Sequence, residues 1–319
     1  MMKAIAITGP TASGKTELSL LVAERLSAEI ISCDSMQIYR KMDIGTAKAT
    51  PEERRRAPHH LIDFLDPRES YSVEAYRRDA ELKMSEIISR GKLPVFVGGT
   101  GLYLDSLLRA ESSSAPEGDH EYREKLLSTV QSEADKTALW ERLYSVDPES
   151  AEAIHKNNVK RVIRALEIYD KTGKPKSWHD ARTRSSEPEH SIKVFTLDFH
   201  DREALYERIN RRVDLMVSAG LVDEVRALYL DGMLPPESTA SQAIGYKEML
   251  SYVKGESTLE EACEEIKLAS RRYAKRQLTW FRHKDYCIKI YADKESGGMR
   301  PADELVAEVL EHLNGFSER

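Results

Sequence analysis

The stretch that most limits what this chain can fold into lies at its start. Ile5-Ala6-Ile7-Thr8 is a short apolar run, Gly9-Pro10-Thr11-Ala12-Ser13-Gly14-Lys15-Thr16 follows, and residues 17–23 continue with helical character. A G-x-x-x-x-G-K-T loop with a strand before it and a helix after it is a phosphate-binding loop in its confirming context. The two glycines let the backbone fold tightly, so that successive N–H groups point at one anion. The helix N-terminus adds a partial positive charge, Lys15 adds a full one, and the Thr16 hydroxyl can reach a bound magnesium ion. The loop therefore binds a diphosphate or a polyphosphate, and taken alone it reads as nucleotide- or ATP-binding.

The following segments place that loop in a fold. Residues 29–34 and 93–99 read as two further buried strands, each ending in polar residues or glycine, with a helical pattern over residues 76–89 between them. Strand, helix and strand at this spacing predict an α/β fold: a P-loop-type parallel sheet core flanked by helices. Ligands bind such sheets at the carboxyl ends of the strands, so Gly9, Asp34 and Gly98-Gly99-Thr100 are expected to converge. A short helix is expected over residues 102–108, then a linker-like Ser/Pro tract over residues 111–119. From there to about residue 189 the periodic segments read as helix (residues 122–130, 136–144 and 159–169), and a second Ser/Pro tract at 185–188 closes the region. Residues 192–199 look like a strand returning to the first domain. The expected organisation is a discontinuous catalytic core, residues 1–113 and 190–319, with an all-helical insertion domain over 114–189. Within the core's second part, helices are expected over 202–219, 222–229 and 259–282, and a last strand over 286–291.

The net charge of −6 over 319 residues gives no global sign of a nucleic-acid partner, so any basic site must be local. The N-terminal apolar run is too short for a signal peptide, and no segment approaches the roughly 18 apolar residues of a membrane span. Cys33, Cys263 and Cys287 show no C-x-x-C spacing, which argues against a disulfide framework and a zinc site. A cytoplasmic enzyme is expected, with no membrane association and no obligate protein partner, as a monomer.

Several side chains can carry chemistry. Asp34, at a strand end beside the phosphate loop, suits either a magnesium-water ligand or a general base, with a simple capping role as the bland alternative. Gly98-Gly99-Thr100-Gly101 lets backbone approach a ligand closely, and Thr100 can hydrogen-bond it. Arg208 and Arg212 are spaced i,i+4 and share a helix face, where a guanidinium can clamp a diphosphate. Lys160-Arg161-Val162-Ile163-Arg164 puts two arginines one turn apart. Residues 271–284 carry six Lys/Arg, among them Arg271, Arg272, Lys275 and Arg276, interleaved with Tyr273, Trp280 and Phe281. Cations that hold phosphates beside aromatics that stack on bases suit single-stranded RNA loops.

Five tracts together resemble the bacterial tRNA dimethylallyltransferase (tRNA isopentenylpyrophosphate transferase) family. They are GPTASGKT from Gly9, SCDSMQIYRKMDIGTAKAT from Ser32, APHHLID from Ala57, VGGTGLY from Val97 and AKRQLTWFR from Ala274. The resemblance implies transfer of a dimethylallyl group from dimethylallyl diphosphate to N6 of the adenosine 3′ of the anticodon, with Mg2+, so the partners are that diphosphate and a tRNA anticodon stem-loop. It implies Asp34 as general base, Thr11 to Thr16 and Arg212 on the diphosphate, and Thr100 near the reacting centre and the tRNA. Asp34-Ser35-Met36-Gln37, Arg123, Lys160 to Arg164 and Ala243-Ile244-Gly245-Tyr246-Lys247-Glu248 resemble segments that touch tRNA. Met36 stands where the family commonly has arginine, and the C-terminal zinc finger of eukaryotic relatives is absent. The rival readings are a small-molecule or nucleoside kinase, which has no need of a basic aromatic tract, a P-loop ATPase or regulatory RNA-binding protein, and an adenylate isopentenyltransferase acting on free nucleotides.

Overall fold

The structure is a computed structural model that describes residues 2–108, 118–185 and 189–314. By contact, the chain divides into two compact units, Met1–Ser106 with His190–Arg319, and Leu107–Glu189. The expected insertion boundary at 113/114 and most of both Ser/Pro tracts lie outside the described residues.

The first unit runs β1 (Lys3–Thr8), α1 (Lys15–Leu26), β2 (Glu29–Ser32), α2 (Pro51–Arg56), β3 (His59–His60), α3 (Val73–Ser89), β4 (Pro94–Val97) and most of α4 (Gly101–Leu108). The second unit contains α5 (His120–Ser128), α6 (Glu133–Val146), α7 (Pro148–Ala153), α8 (Val159–Thr172) and α9 (Lys176–Ser185). The chain then returns through β5 (Ser191–Asp198), α10 (Arg202–Ser218), α11 (Leu221–Leu230), α12 (Tyr246–Val253), α13 (Leu259–Arg282), β6 (Cys287–Tyr291) and α14 (Ala302–His312) to complete the first unit.

The six strands form one parallel sheet in the order β3-β2-β4-β1-β5-β6. Ile5 is paired with Val95 on one side and Lys193 on the other, so β1 is central. The chain builds β2, β3 and β4 on one side of β1 and β5 and β6 on the other. That reversal is the switch point at which such sheets bind ligands, and it puts the phosphate loop at the carboxyl end of the middle strand. Ile5, Ile7, Leu18, Leu20, Val22, Val95, Phe195 and Leu197 fill the core beneath it. A second apolar cluster packs Ile38, Tyr39 and Met42 against Val225, Leu228, Tyr246 and Met249, which seats the long loop after β2 on α11 and α12.

The sheet and its main helices follow the expected pattern; the shorter elements do not. β3 has only two residues, pairs with Ile30 and Ile31 at the sheet edge, and shows no alternation to read. Asp147-Pro148-Glu149 reads as punctuation, yet Asp147 ends α6 while its side chain caps α7, with Pro148 at the first helical position. α14 carries Leu305, Val306 and Val309 on its buried face behind acidic first-turn residues, a pattern that the sequence reading passed over.

Candidate active site

The phosphate loop is shaped by three left-handed residues, Gly9 (φ 138°), Ala12 (φ 61°) and Gly14 (φ 96°). Gly9 also lies hard against β5, where an added Cβ would sit 2.8 Å from the Leu197 carbonyl oxygen. Ala12 tolerates its strained position because Arg208 Nε donates to its carbonyl at 2.9 Å. α1 then begins without a side-chain cap, and the amides of Gly14, Lys15 and Thr16 have no protein partner among the described residues. The buried Ser13 hydroxyl likewise finds no partner. Free amides at a helix N-terminus beside an orphaned hydroxyl form a cradle that an anion would complete.

Three cations face this cradle. Lys15 Nζ donates to Pro10 O at 2.6 Å. Loss of water around the ammonium, then the nearby Arg212 charge, pulls its pKa down to about 7, with Asp34 opposing. Burial likewise lowers Arg212, whose next neighbour in effect is again Asp34. Arg212 makes no hydrogen bond or salt bridge to the described residues, while Arg208 is engaged on the loop. The i,i+4 pair does share a face, and both side chains line the cavity.

Asp34 follows β2. Its Oδ1 accepts the N–H groups of Met36 (2.9 Å) and Gln37 (3.3 Å), so the capping role is real. Oδ2 makes no hydrogen bond among the described residues and remains available. Thr100 Oγ1 accepts the Ser35 N–H at 3.1 Å and donates to the Ser35 hydroxyl at 3.4 Å. Thr100 thus fixes the turn that carries Asp34, while its neighbours Gly98 and Gly99 form the wall of the cavity. The glycines of that turn answer to protein neighbours. A Cβ at Gly98 would lie 2.0 Å from Cys33 O, at Gly99 2.0 Å from Gln277 Nε2, and at Gly101 2.3 Å from Trp280 Nε1. The expected close approach is therefore made by the protein's own groups, Cys33, Gln277 and Trp280.

All of this surrounds one cavity of about 660 Å³, within the usual range of small-molecule sites. Its lining includes Thr11 to Thr16, Asp34 to Gln37, Arg208, Arg211, Arg212, Tyr273, Arg276 and Gln277, with an apolar share from Ile209, Val213, Met216, Ile244 and Ile266. The carboxyl ends of β1, β2 and β4 do converge, as their positions in a parallel sheet require.

The long loop after β2 is fastened by Glu224 and Lys48, which the sequence reading did not single out, and by Gln37, which it assigned to a segment touching tRNA. Glu224 accepts the N–H groups of Asp43, Ile44 and Gly45 at 2.8–3.1 Å and the Tyr246 hydroxyl at 2.6 Å. Lys48, nearly inaccessible, donates to Tyr39 O, Asp43 and Asp63. Gln37 Nε2 donates to the carbonyls of Thr46 and Ala47. These contacts put Gly45 and Thr46 on the cavity wall.

The family model described as IPP transferase matches residues 37–284, and one described as isopentenyl transferase matches residues 2–63. A tRNA dimethylallyltransferase of Thermoanaerobacter pseudethanolicus is 45% identical to the chain over 312 residues, covering 98% of this chain and 97% of that protein. The chain belongs to the tRNA dimethylallyltransferase family. Two solved structures are similar to it. A tRNA delta(2)-isopentenylpyrophosphate transferase from Staphylococcus epidermidis superposes with a TM-score of 0.71 at 42% identity, covering 99% of this chain and all of that one. A eukaryotic dimethylallyltransferase described as acting on tRNA gives a TM-score of 0.82 at 29% identity, covering 99% and 80%. No helix among the described residues is long and apolar enough to cross a membrane.

The segments that the dimethylallyltransferase resemblance assigns to tRNA divide by exposure. In α13, Arg272, Lys275 and Arg276 are exposed; Arg276 lies over the Tyr273 ring, and Arg271 donates to Asn210. Ala243, Ile244 and Gly245 line the cavity, and Lys247 is exposed. Tyr246, however, is wholly buried on Glu224, and Glu248 accepts the Gly245 N–H to cap α12. In the helical unit Lys160 and Arg161 are exposed, but Val162 and Ile163 belong to its core. Arg123 and Arg164 both pair with the buried Glu167. The side chains of Val162, Ile163 and Tyr246 are packed inward, because apolar spacing on α8 and α12 turns them toward the core.

Proposed function

We propose that the chain moves a dimethylallyl group from dimethylallyl diphosphate to the exocyclic N6 of the adenosine 3′ of the anticodon in tRNA. The observation that carries this reading is one cavity lined by an anion cradle, by Arg212 with no hydrogen bond among the described residues, and by the Asp34 carboxylate with one oxygen available. An adenine amine is a weak nucleophile, since its lone pair is delocalised into the ring. An allylic diphosphate offsets this, because its C–O bond breaks toward a resonance-stabilised cation once the leaving diphosphate is stabilised. The free amides of Gly14 to Thr16, Lys15 and Arg212 supply that stabilisation where negative charge develops. As the C–N bond forms, the N6 proton passes to Asp34 Oδ2, and diphosphate departs with the C–O bonding pair. Ile209, Val213, Met216 and Ile266 offer apolar surface to a five-carbon tail. The base must leave its stack to enter the cavity, which is easier from a loop than from a duplex.

The exposed Thr16 hydroxyl, unpartnered among the described residues, is an oxygen donor of the kind magnesium selects. Magnesium bound by Thr16 and diphosphate oxygens would add positive charge against the leaving group. Arg272, Lys275, Lys160 and Arg161 supply cations for tRNA phosphates.

The test incubates the purified protein with labelled dimethylallyl diphosphate and offers tRNA and AMP as competing acceptors. Label on tRNA is expected. Label on AMP instead selects the free-nucleotide reaction, and consumption of ATP with the allylic donor ignored overturns the proposal in favour of a kinase.

A further inference from the structure

The buried stripe of α13 comprises Ala274, Gln277, Leu278 and Phe281. A glutamine on such a stripe is expensive unless its amide finds hydrogen-bond partners. Gln277, 6% exposed, pairs both its oxygen and its nitrogen. Its Oε1 accepts the Thr11 N–H of the phosphate loop at 2.9 Å, and its Nε2 donates to Gly99 O at 3.0 Å. One side-chain amide thereby joins the loop after β1 to the turn after β4. Thr100, the next residue of that turn, takes the N–H of Ser35, which adjoins Asp34. The turn accommodates the amide only because residue 99 is glycine, given the 2.0 Å separation that a Cβ there would make with Nε2. An apolar residue would hold α13 in the core but would leave the Thr11 N–H and the Gly99 carbonyl without this partner.

We infer that Gln277 is a positioning residue for the transfer reaction. It fixes the register between the diphosphate cradle and the Thr100–Asp34 turn, so that the breaking C–O bond and the incoming amine stay aligned. The inference rests on the transfer reading above. It follows from how steeply rate depends on the alignment of two reacting groups held by separate loops. Gln277 lies at the cavity wall with its amide committed to the backbone of Thr11 and Gly99, and it acts through those two loops.

Two variants test this. Gln277→Met keeps the length and the apolar packing but removes both hydrogen bonds. Gln277→Glu reproduces both while its carboxyl is protonated, accepting from Thr11 and donating to Gly99; once ionised it cannot donate. For Gln277→Met, kcat is expected to fall on the order of 100-fold, with the KM for tRNA and the circular dichroism spectrum as in the wild type. For Gln277→Glu, kcat relative to wild type is expected to recover as pH falls through the new carboxyl's pKa. A folded Gln277→Met with wild-type kcat, or a Gln277→Glu ratio independent of pH, overturns the inference. Hydrogen exchange at the Thr11 amide reads the strap without turnover: protection is expected in the wild type and its loss in Gln277→Met. An unprotected wild-type amide overturns the strap, whereas a protected amide in a wild type that moves no label to tRNA overturns the transfer reading alone.

Discussion

Binding of a diphosphate to this loop should load a proton onto Lys15. Loss of hydration and the Arg212 charge hold that ammonium at about pKa 7 against an ordinary 10.5. It is then about half deprotonated at pH 7, about nine-tenths at pH 8 and about one-tenth at pH 6. A dianion or trianion in the cradle favours the charged form and returns the pKa toward its ordinary value. Proton uptake on binding should therefore be roughly 0.9 at pH 8 and roughly 0.1 at pH 6. Affinity should fall about 50-fold between pH 7 and pH 9, provided the bound pKa stays above about 10. Titration calorimetry with inorganic pyrophosphate, in buffers of different ionisation heat, measures the uptake directly. Pyrophosphate has its own ionisations, so the informative quantity is the difference from Lys15→Arg, whose guanidinium stays charged throughout. Equal uptake by the two proteins at pH 8 would refute the reasoning. Stability has the opposite linkage. Between pH 7 and 10.5 the unfolded chain holds the lysine proton and the empty folded protein does not, so this site's contribution to stability rises with pH across that window.

Three further outcomes follow from single contacts. Asp34→Asn keeps an oxygen to accept the Met36 and Gln37 amides, so transfer should fall by roughly 10²–10⁴-fold while tRNA binding, measured by filter retention, persists; lost binding with retained kcat at saturating tRNA would remove Asp34 from the base role. Arg212→Ala should lose about 3 kcal/mol of transition-state stabilisation in kcat/KM for the allylic donor, with tRNA affinity unchanged in the same assay series. Glu224→Ala leaves three loop amides and the Tyr246 hydroxyl without their acceptor and should reduce urea stability by about 3 kcal/mol, whereas Tyr246→Phe should lose about 1 kcal/mol.

Legibility in the sequence followed the physics of each signal. The sheet could be read because β1, β2, β4 and β5 are apolar runs with polar ends, and parallel pairing fixes which ends meet. The cations of α10 could be read because i,i+4 spacing leaves little freedom once a helix is granted. What stayed hidden depends on contacts remote in sequence. Lys48 and Glu224 look like ordinary surface charges until the loop after β2 closes over them. Gln277 stands in a basic, aromatic tract and reads as part of a solvated face, yet it is the residue that turns inward. Likewise Val162 and Ile163 lie between two arginines in sequence and beneath them in space. Exposure within a charged run is set by helical phase, and phase was read for the arginines but not for the residues between them.

The buried polar groups around the cavity share one design. Gln277 and the Gln37 amide spend their hydrogen bonds on backbone groups of a loop, Glu224 gives all but one of its bonds to such groups, and Lys48 ties one loop carbonyl to two carboxylates. Backbone partners fix where a loop runs whatever its side chains are, which matters when amides and carbonyls must themselves meet a ligand. Such contacts already exist in the empty protein, so the cradle, the Asp34 turn and the 43–46 loop need little reorganisation to form. Stabilising a developing leaving-group charge is most effective when the donors are oriented beforehand. The groups unpaired among the described residues, the Gly14 to Thr16 amides, the Ser13 hydroxyl, Arg212 and Asp34 Oδ2, are those a diphosphate and an amine would engage. Around this cavity the loop scaffold is satisfied and the reactive surface is not, and that contrast locates the chemistry more securely than the phosphate-loop motif does alone.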